Sequence, residues 1–167
     1  MRALARSRQN RQVERRADDG TITEYLGFRV SGSNYAIPVS IVREIVRSGQ
    51  LTPVPRAPPG VLGISSFRGR VVTIIDLSSR FGLASSMPVP LLGPTRMARV
   101  RILMVDIGQE TLGYLVDEVH QVYRLATRDI ERATTVGTDV GIHVTGIARP
   151  EEEGDVVLIL DPKALLP

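Results

Sequence analysis

From Leu26 onward apolar and polar side chains alternate. Leu26, Phe28 and Val30 fall on one side and Tyr25, Gly27 and Arg29 on the other, which predicts a strand with one apolar face. Ser31–Gly32–Ser33–Asn34 has turn composition and Tyr35–Ala36–Ile37 resumes as a returning strand, so the segment reads as a hairpin. Pro38 lacks a backbone donor and argues that this second strand lies away from a sheet centre. Val39, Ile41, Val42, Ile45 and Val46 then form an apolar cluster broken by Arg43 and Glu44. Residues 52–60 hold four prolines in nine positions, which predicts a stiff loop. Two more strands follow, Val61–Ser65 and Arg70–Ile75, separated by Ser66–Phe67–Arg68–Gly69. Asp76 to Phe81 predicts a short helical turn, with Asp76 as its N-cap and Gly82 as its stop.

Residues 84–99 carry three prolines and no period, and read as a connector. Beyond it the plan recurs. Val100–Ile107, a turn at 108–110 and Thr111–Val116 form another hairpin. Residues 35–45 line up with 112–122 at an offset of 77, matching Val42 to Val119 and Ile45 to Val122. Gly69–Asp76 lines up with Gly154–Asp161 at an offset of 85, and Gly63–Ile64 with Gly146–Ile147 between them. Three matches in one order indicate a duplicated small unit, each copy ending in an Asp-capped turn. Short strands with Gly and Pro punctuation and no long helical period make the chain all-β, as two small barrels packed together. The first unit covers about 21–83 and the second about 100–167, and strand exchange between them is compatible with the pattern.

With 167 residues the chain can bury roughly 70% of its unfolded surface and needs no staples. The absence of cysteine excludes disulfides, iron–sulfur clusters, thiolate zinc sites and a cysteine nucleophile. Aromatics are 4% with no Trp, which weakens any reading built on stacking bases. The net charge of +3 lies wholly in residues 1–20, where six Arg face three acidic side chains; residues 21–167 are balanced. The body therefore has no net field to draw it to phosphate, and nucleic acid is not its expected partner. The Arg-rich tail reads as a solvated, disordered extension. It lacks the apolar run of a secretory signal, and no later segment approaches a membrane span, so a cytoplasmic protein is expected. The alternative is a small-barrel protein that binds nucleic acid or another anionic surface through the tail. It predicts binding that falls with salt and disappears when the tail is removed.

Reactive chemistry is sparse. His120 alternates within Val119–Val122 and reads as a polar-face residue; His143 has no acidic neighbour to orient it. Their spacing fits no metal site. Asp76 and Asp161 recur at equivalent points, where capping explains both, and Glu151–Glu152–Glu153 reads as a solvated turn after Pro150. No phosphate-binding or nucleophile motif is present. Hence no catalytic residue, metal, cofactor or small-molecule substrate is expected. Two surface features remain. Arg68–Gly69 forms a tight turn from which an Arg can reach a partner's carboxylate. Val42, Glu44 and Ile45, with Val119 and Val122, read either as an apolar strip beside a charge or as core.

Tyr35–Ala36–Ile37–Pro38, Val42–Arg43–Glu44–Ile45, Thr52–Pro53–Val54–Pro55, Gly63–Ile64, Phe67–Arg68–Gly69 and Val72–Leu77 resemble, in that order, the CheW-type chemotaxis coupling proteins. Residues 113–122 and Gly146–Ile147 continue the resemblance, which covers about 22–166 and leaves out the tail. It implies two five-stranded barrels around a shared core, with short helical turns and a short C-terminal helix. It also implies a non-enzymatic adaptor that binds the regulatory domain of a CheA-type histidine kinase and the cytoplasmic hairpin tip of a chemoreceptor, recruited to membrane receptor arrays. Val42, Glu44, Ile45, Gly63, Arg68, Gly69, Gly113, Val119 and Val122 are the partner-binding positions that the residues and the resemblance together single out. Ser66 stands where the family commonly has Asn, and the connector is longer than usual.

Overall fold

In the computed structural model, residues 20–83, 99–133 and 143–166 are described. The readings made for the tail and for residues 84–98 of the connector lie outside them. The first alternating segment forms β1 (Ile22–Val30), which turns back as β2 (Ser33–Pro38). A 3-10 turn at Val39–Ile41 leads into β3 (Val42–Arg47), followed after the proline loop by β4 (Val61–Phe67) and β5 (Arg70–Asp76). The one-turn helix α1 (Leu77–Arg80) follows. The second half contributes β6 (Arg101–Ile107), β7 (Glu110–Val116), β8 (Glu118–Ala126), β9 (Ile130–Arg132), β10 (Val144–Ala148) and β11 (Val157–Leu160). The expected C-terminal helix is a single 3-10 turn, Pro162–Leu165.

Both predicted caps form. Asp76 Oδ1 accepts the Ser78 N–H at 3.1 Å, and Asp161 Oδ1 accepts the Lys163 N–H at 3.0 Å. Each satisfies an amide that the first helical turn leaves without a partner.

The strands build two sheets, in the orders β8-β1-β2-β11-β10-β9 and β3-β6-β7-β5-β4. These do not follow the two sequence units at 21–83 and 100–167. Each half keeps its own hairpin but sends its remaining strands to the other half's hairpin. β3 pairs with β6 and β5 with β7, while β8 pairs with β1 and β11 with β2. Asp117 alone separates β7 from β8. One residue cannot close a hairpin, which needs at least two, so β8 must run on to the neighbouring sheet. The exchange also overturns the expectation from Pro38. β2 sits inside its sheet, and it tolerates the proline because β11 pairs only with Asn34, Tyr35 and Ala36, short of the strand's end.

The outermost strands of each sheet are brought round toward each other. Thr52, just beyond β3, exchanges two 2.9 Å backbone hydrogen bonds with Ile64 of β4. In the other sheet β9, just beyond β8, pairs with β10. The sheet that contains β9 therefore has six strands rather than five. Its counterpart at Thr52 stays a single bridge because Pro53 and Pro55 have no amide with which to extend a ladder.

Three apolar clusters follow from strand alternation. Val72, Ile74, Ile102, Met104 and Leu115 belong to the cluster of the first barrel, and Ala36, Leu125, Ala148, Val157 and Ile159 to that of the second. The opposite faces of both sheets, with Leu77, Phe81 and Leu165, meet in the largest cluster between the barrels. Tyr114 lies in it and donates its hydroxyl to the Leu165 carbonyl at 2.9 Å. Burial pushes the Tyr114 phenol well above its ordinary 10.0, and Tyr35 is raised for the same reason. The folded state thus keeps protons that the unfolded chain releases near pH 10, so stability falls as pH rises past that value. Urea unfolding at increasing alkaline pH should show a falling midpoint, and Tyr114→Phe should flatten that fall. An unchanged slope in the variant would remove Tyr114 from the account.

Candidate partner-docking site

At the end of the first barrel, Arg68 and Gly69 form the two-residue turn between β4 and β5, with φ of 48° and 77°. Two left-handed residues in a tight hairpin match the strand twist, and Gly69 adopts that conformation without steric cost. A left-handed Arg costs on the order of 1 kcal/mol, which other contacts must offset. Its guanidinium lies 5.5 Å from the centre of the Phe67 ring and makes a fork with Glu44. Nε is 3.1 Å from Oε2, and Nη2 donates to Oε1 at 3.2 Å. The Arg68 side chain is 73% exposed, so this pair contributes little to stability, about 0–1 kcal/mol. What it does is hold a charged hairpin tip against β3.

A bulge in β3 decides which side chains share that end. The register shifts between Val42 and Glu44, so an extra residue separates Val42 from the rest of the alternation. Val42 lies opposite Val105 and Ile45 opposite Leu103, both residues of the inter-barrel core, which places Val42 and Ile45 on that face. Glu44 turns toward the barrel end instead. The second half repeats this arrangement, with Val119 opposite Phe28 and Val122 opposite Leu26. Val42 and Val119 are half-buried against the shared core, whereas Ile45 and Val122 are 41% and 49% exposed. One residue of each pair thus anchors in the core and the other emerges.

Gly63 and Gly113 are buried, and each has a packing reason. A Cβ on Gly63 would stand 2.4 Å from the Thr52 carbonyl oxygen. One on Gly113, in the middle of the five-stranded sheet, would meet Ile74 Cδ1 at 2.4 Å and Ile102 Cγ2 at 2.9 Å. They shape the barrel rather than present surface.

The two histidines are placed structurally. His120 Nε2 lies 3.2 Å from Asn34 Oδ1, and His143 Nδ1 donates to the Ala164 carbonyl at 3.0 Å. Among the described residues no group of three or more His, Cys, Asp or Glu could hold a metal. Asp106 was not singled out from sequence. It pairs with Arg43 at 3.5 Å and accepts from Thr111 Oγ1 at 2.6 Å, at the same barrel end. Thr111 meets Asp106 across the β6–β7 hairpin, but only the β3–β6 pairing brings Arg43 to it, and no local pattern marks that contact.

Two exchanged β barrels with a forked ion pair at one end and apolar side chains emerging between them define a surface-presenting scaffold. The chain belongs to the CheW-like domain family, whose family model matches residues 24–167. It is similar to the chemotaxis protein CheW of Rhizobium meliloti (strain 1021), at 31% identity over 116 residues, covering 70% of each chain. It is also similar to protein FrzA of Myxococcus xanthus, at 27% identity over 143 residues, 86% of this chain and 84% of that one. The crystal structure of the scaffolding protein TtCheW from Thermoanaerobacter tengcongensis superposes with a TM-score of 0.73 at 26% identity, covering 85% of this chain and 86% of that one.

Proposed function

We propose that this protein is a chemotaxis scaffold that couples a chemoreceptor's cytoplasmic hairpin tip to the regulatory domain of a CheA-type histidine kinase. The observation that carries the reading is the juxtaposition of two kinds of group. Val42, Ile45, Val119 and Val122 share the inter-barrel face, and the forked Glu44–Arg68 pair stands at the end of the same strand β3. An amphipathic helical hairpin laid along that face would bury Ile45 and Val122, with Arg68 free to exchange Glu44 for a receptor carboxylate. Gly69 lets the tip turn, and Gly63 and Gly113 keep the barrel wall behind it in register. Coupling then follows if both partners bind at once and each prefers one conformation of the assembly. No helix among the described residues is long and apolar enough to cross a membrane, so a place in a receptor array would come through binding.

The test is calorimetry of the full chain against a receptor hairpin fragment and, separately, against the kinase regulatory domain. Arg68→Glu sets two carboxylates side by side and should weaken receptor binding about tenfold or more, roughly 1.4 kcal/mol. Its unfolding midpoint should barely move, because the pair is exposed. Equal receptor affinity in the variant would take Arg68 out of the site, and failure to bind either partner would overturn the coupling.

A further inference from the structure

The duplication gives each barrel an equivalent end, and the two ends carry different chemistry. Positions 77 residues apart correspond: Arg29 to Asp106, Asn34 to Thr111, His120 to Arg43 and Gln121 to Glu44. In the first barrel the charged groups at these positions all have partners. Asp106 pairs with Arg43 and accepts from Thr111, and Glu44 takes the Arg68 fork. In the second barrel the carboxylate at the first position is replaced by Arg29, and the one at the last by the neutral Gln121. Arg29 Nε is buried without a hydrogen-bond partner. Glu118 faces it across the β1–β8 pairing, yet among the described residues no ion pair within 4.0 Å joins the two. The Arg29 side chain as a whole is only half-buried and lines a pocket, so its guanidinium can donate a charge-assisted hydrogen bond to an incoming anion.

The site is also open. Arg29, Asn34, His120 and Gln121 line a pocket of about 240 Å³ at the barrel mouth, a usual place for a ligand in small barrels. Its rim carries Glu151 and Asp155, and the Asn34 amide donates to Asp155 Oδ2 at 3.5 Å. A lone carboxylate must pass these acids, whereas one flanked by a cation pairs with both levels.

We infer that the mouth of the second barrel is a docking pocket for a protein segment presenting a carboxylate beside a basic side chain. The carboxylate meets the Arg29 guanidinium next to His120, and the basic group meets Glu151 and Asp155. The inference rests on the duplicated frame and stands whether or not the receptor and kinase coupling does.

The test is an amide-resonance NMR titration of the full chain with acetyl-Ala-Glu-Lys-Ala-amide. Controls replace Glu by Gln, or Lys by Ala. Expected are saturable shifts in the millimolar range at Arg29, Asn34 and His120, absent with the Gln peptide and several-fold weaker with the Lys-to-Ala peptide. Arg29→Gln should weaken binding of the first peptide about tenfold. Should that variant unfold, the peptide series on the wild-type chain decides. No shift at these residues, or equal shifts from the Glu and Gln peptides, would overturn the pocket. Equal affinity for the Lys and Ala peptides would overturn the role of the acidic rim.

Discussion

Phe81→Ala is expected to remove about 3–5 kcal/mol of folding free energy, a large part of the 5–15 kcal/mol that holds a typical domain together. Phe81 caps α1 and is 1% exposed. Its ring sits 5.0 Å from Tyr35 of β2 and 5.7 Å from His143, which leads into β10. It is therefore a first-half residue packed against the six-stranded sheet, in the core that both barrels share. Truncation leaves a cavity bounded by two sheets, and neither can close it without sliding on the other. Urea unfolding should show a lower midpoint with one cooperative transition and an unchanged m-value. A loss below about 1.5 kcal/mol, within the range of a volume-conserving core exchange, would mean that the barrels do not depend on this junction.

Gly63→Ala should cost about 2 kcal/mol or more, through the backbone and not through a lost side-chain contact. The added methyl would lie 2.4 Å from the Thr52 oxygen and 2.9 Å from its carbonyl carbon, neither of which can swing aside. Relief requires the chain at 52–53 to move away from β4. That breaks both 2.9 Å hydrogen bonds between Thr52 and Ile64, each contributing about 1 kcal/mol. Hydrogen exchange at the Ile64 amide gives the specific readout: protection there should fall more than at Ile74 in β5. If Ile64 stays protected and stability changes by less than about 0.5 kcal/mol, the close approach is not what demands glycine. Because Thr52 follows β3 in the chain, the same substitution should loosen Glu44 against Arg68 and weaken the proposed receptor binding without touching either residue.

Legibility differed along the chain for physical reasons. The Asp76 cap, the Arg68–Gly69 turn and the proline-rich loop could be read directly, because each is decided within four or five residues by backbone chemistry. The valine strip could be read only in part. Straight alternation would put Val42 and Ile45 on opposite faces, and the bulge that puts them on one face depends on how β3 meets β6. Gly63 and Gly113 are marked as partner positions by the family resemblance alone, and the packing reason for glycine is a neighbour far along the chain: Thr52 for one, Ile74 and Ile102 for the other. Asp106 and the Arg29 pocket left no local mark. The repeat at an offset of 77 is read over 35–45, and only the equivalent hairpin pairings, Arg29 with Asn34 and Asp106 with Thr111, extend it to them; nothing in a one-dimensional pattern says that one position is satisfied and its counterpart is not.

By itself, then, the sequence determined an all-β chain of short strands, its duplication, its capped turns and the neutrality of its body. All of these are consequences of side-chain period and local backbone preference. Only the tertiary structure decided that each half gives its later strands to the other half's hairpin. It also decided that the barrels share one core, and that the charged groups at one barrel end are paired while Arg29 Nε at the other has no partner. Pairing between strands is a long-range choice, settled by connection length and by the burial of two faces at once, and neither is recorded in the alternation of any single strand.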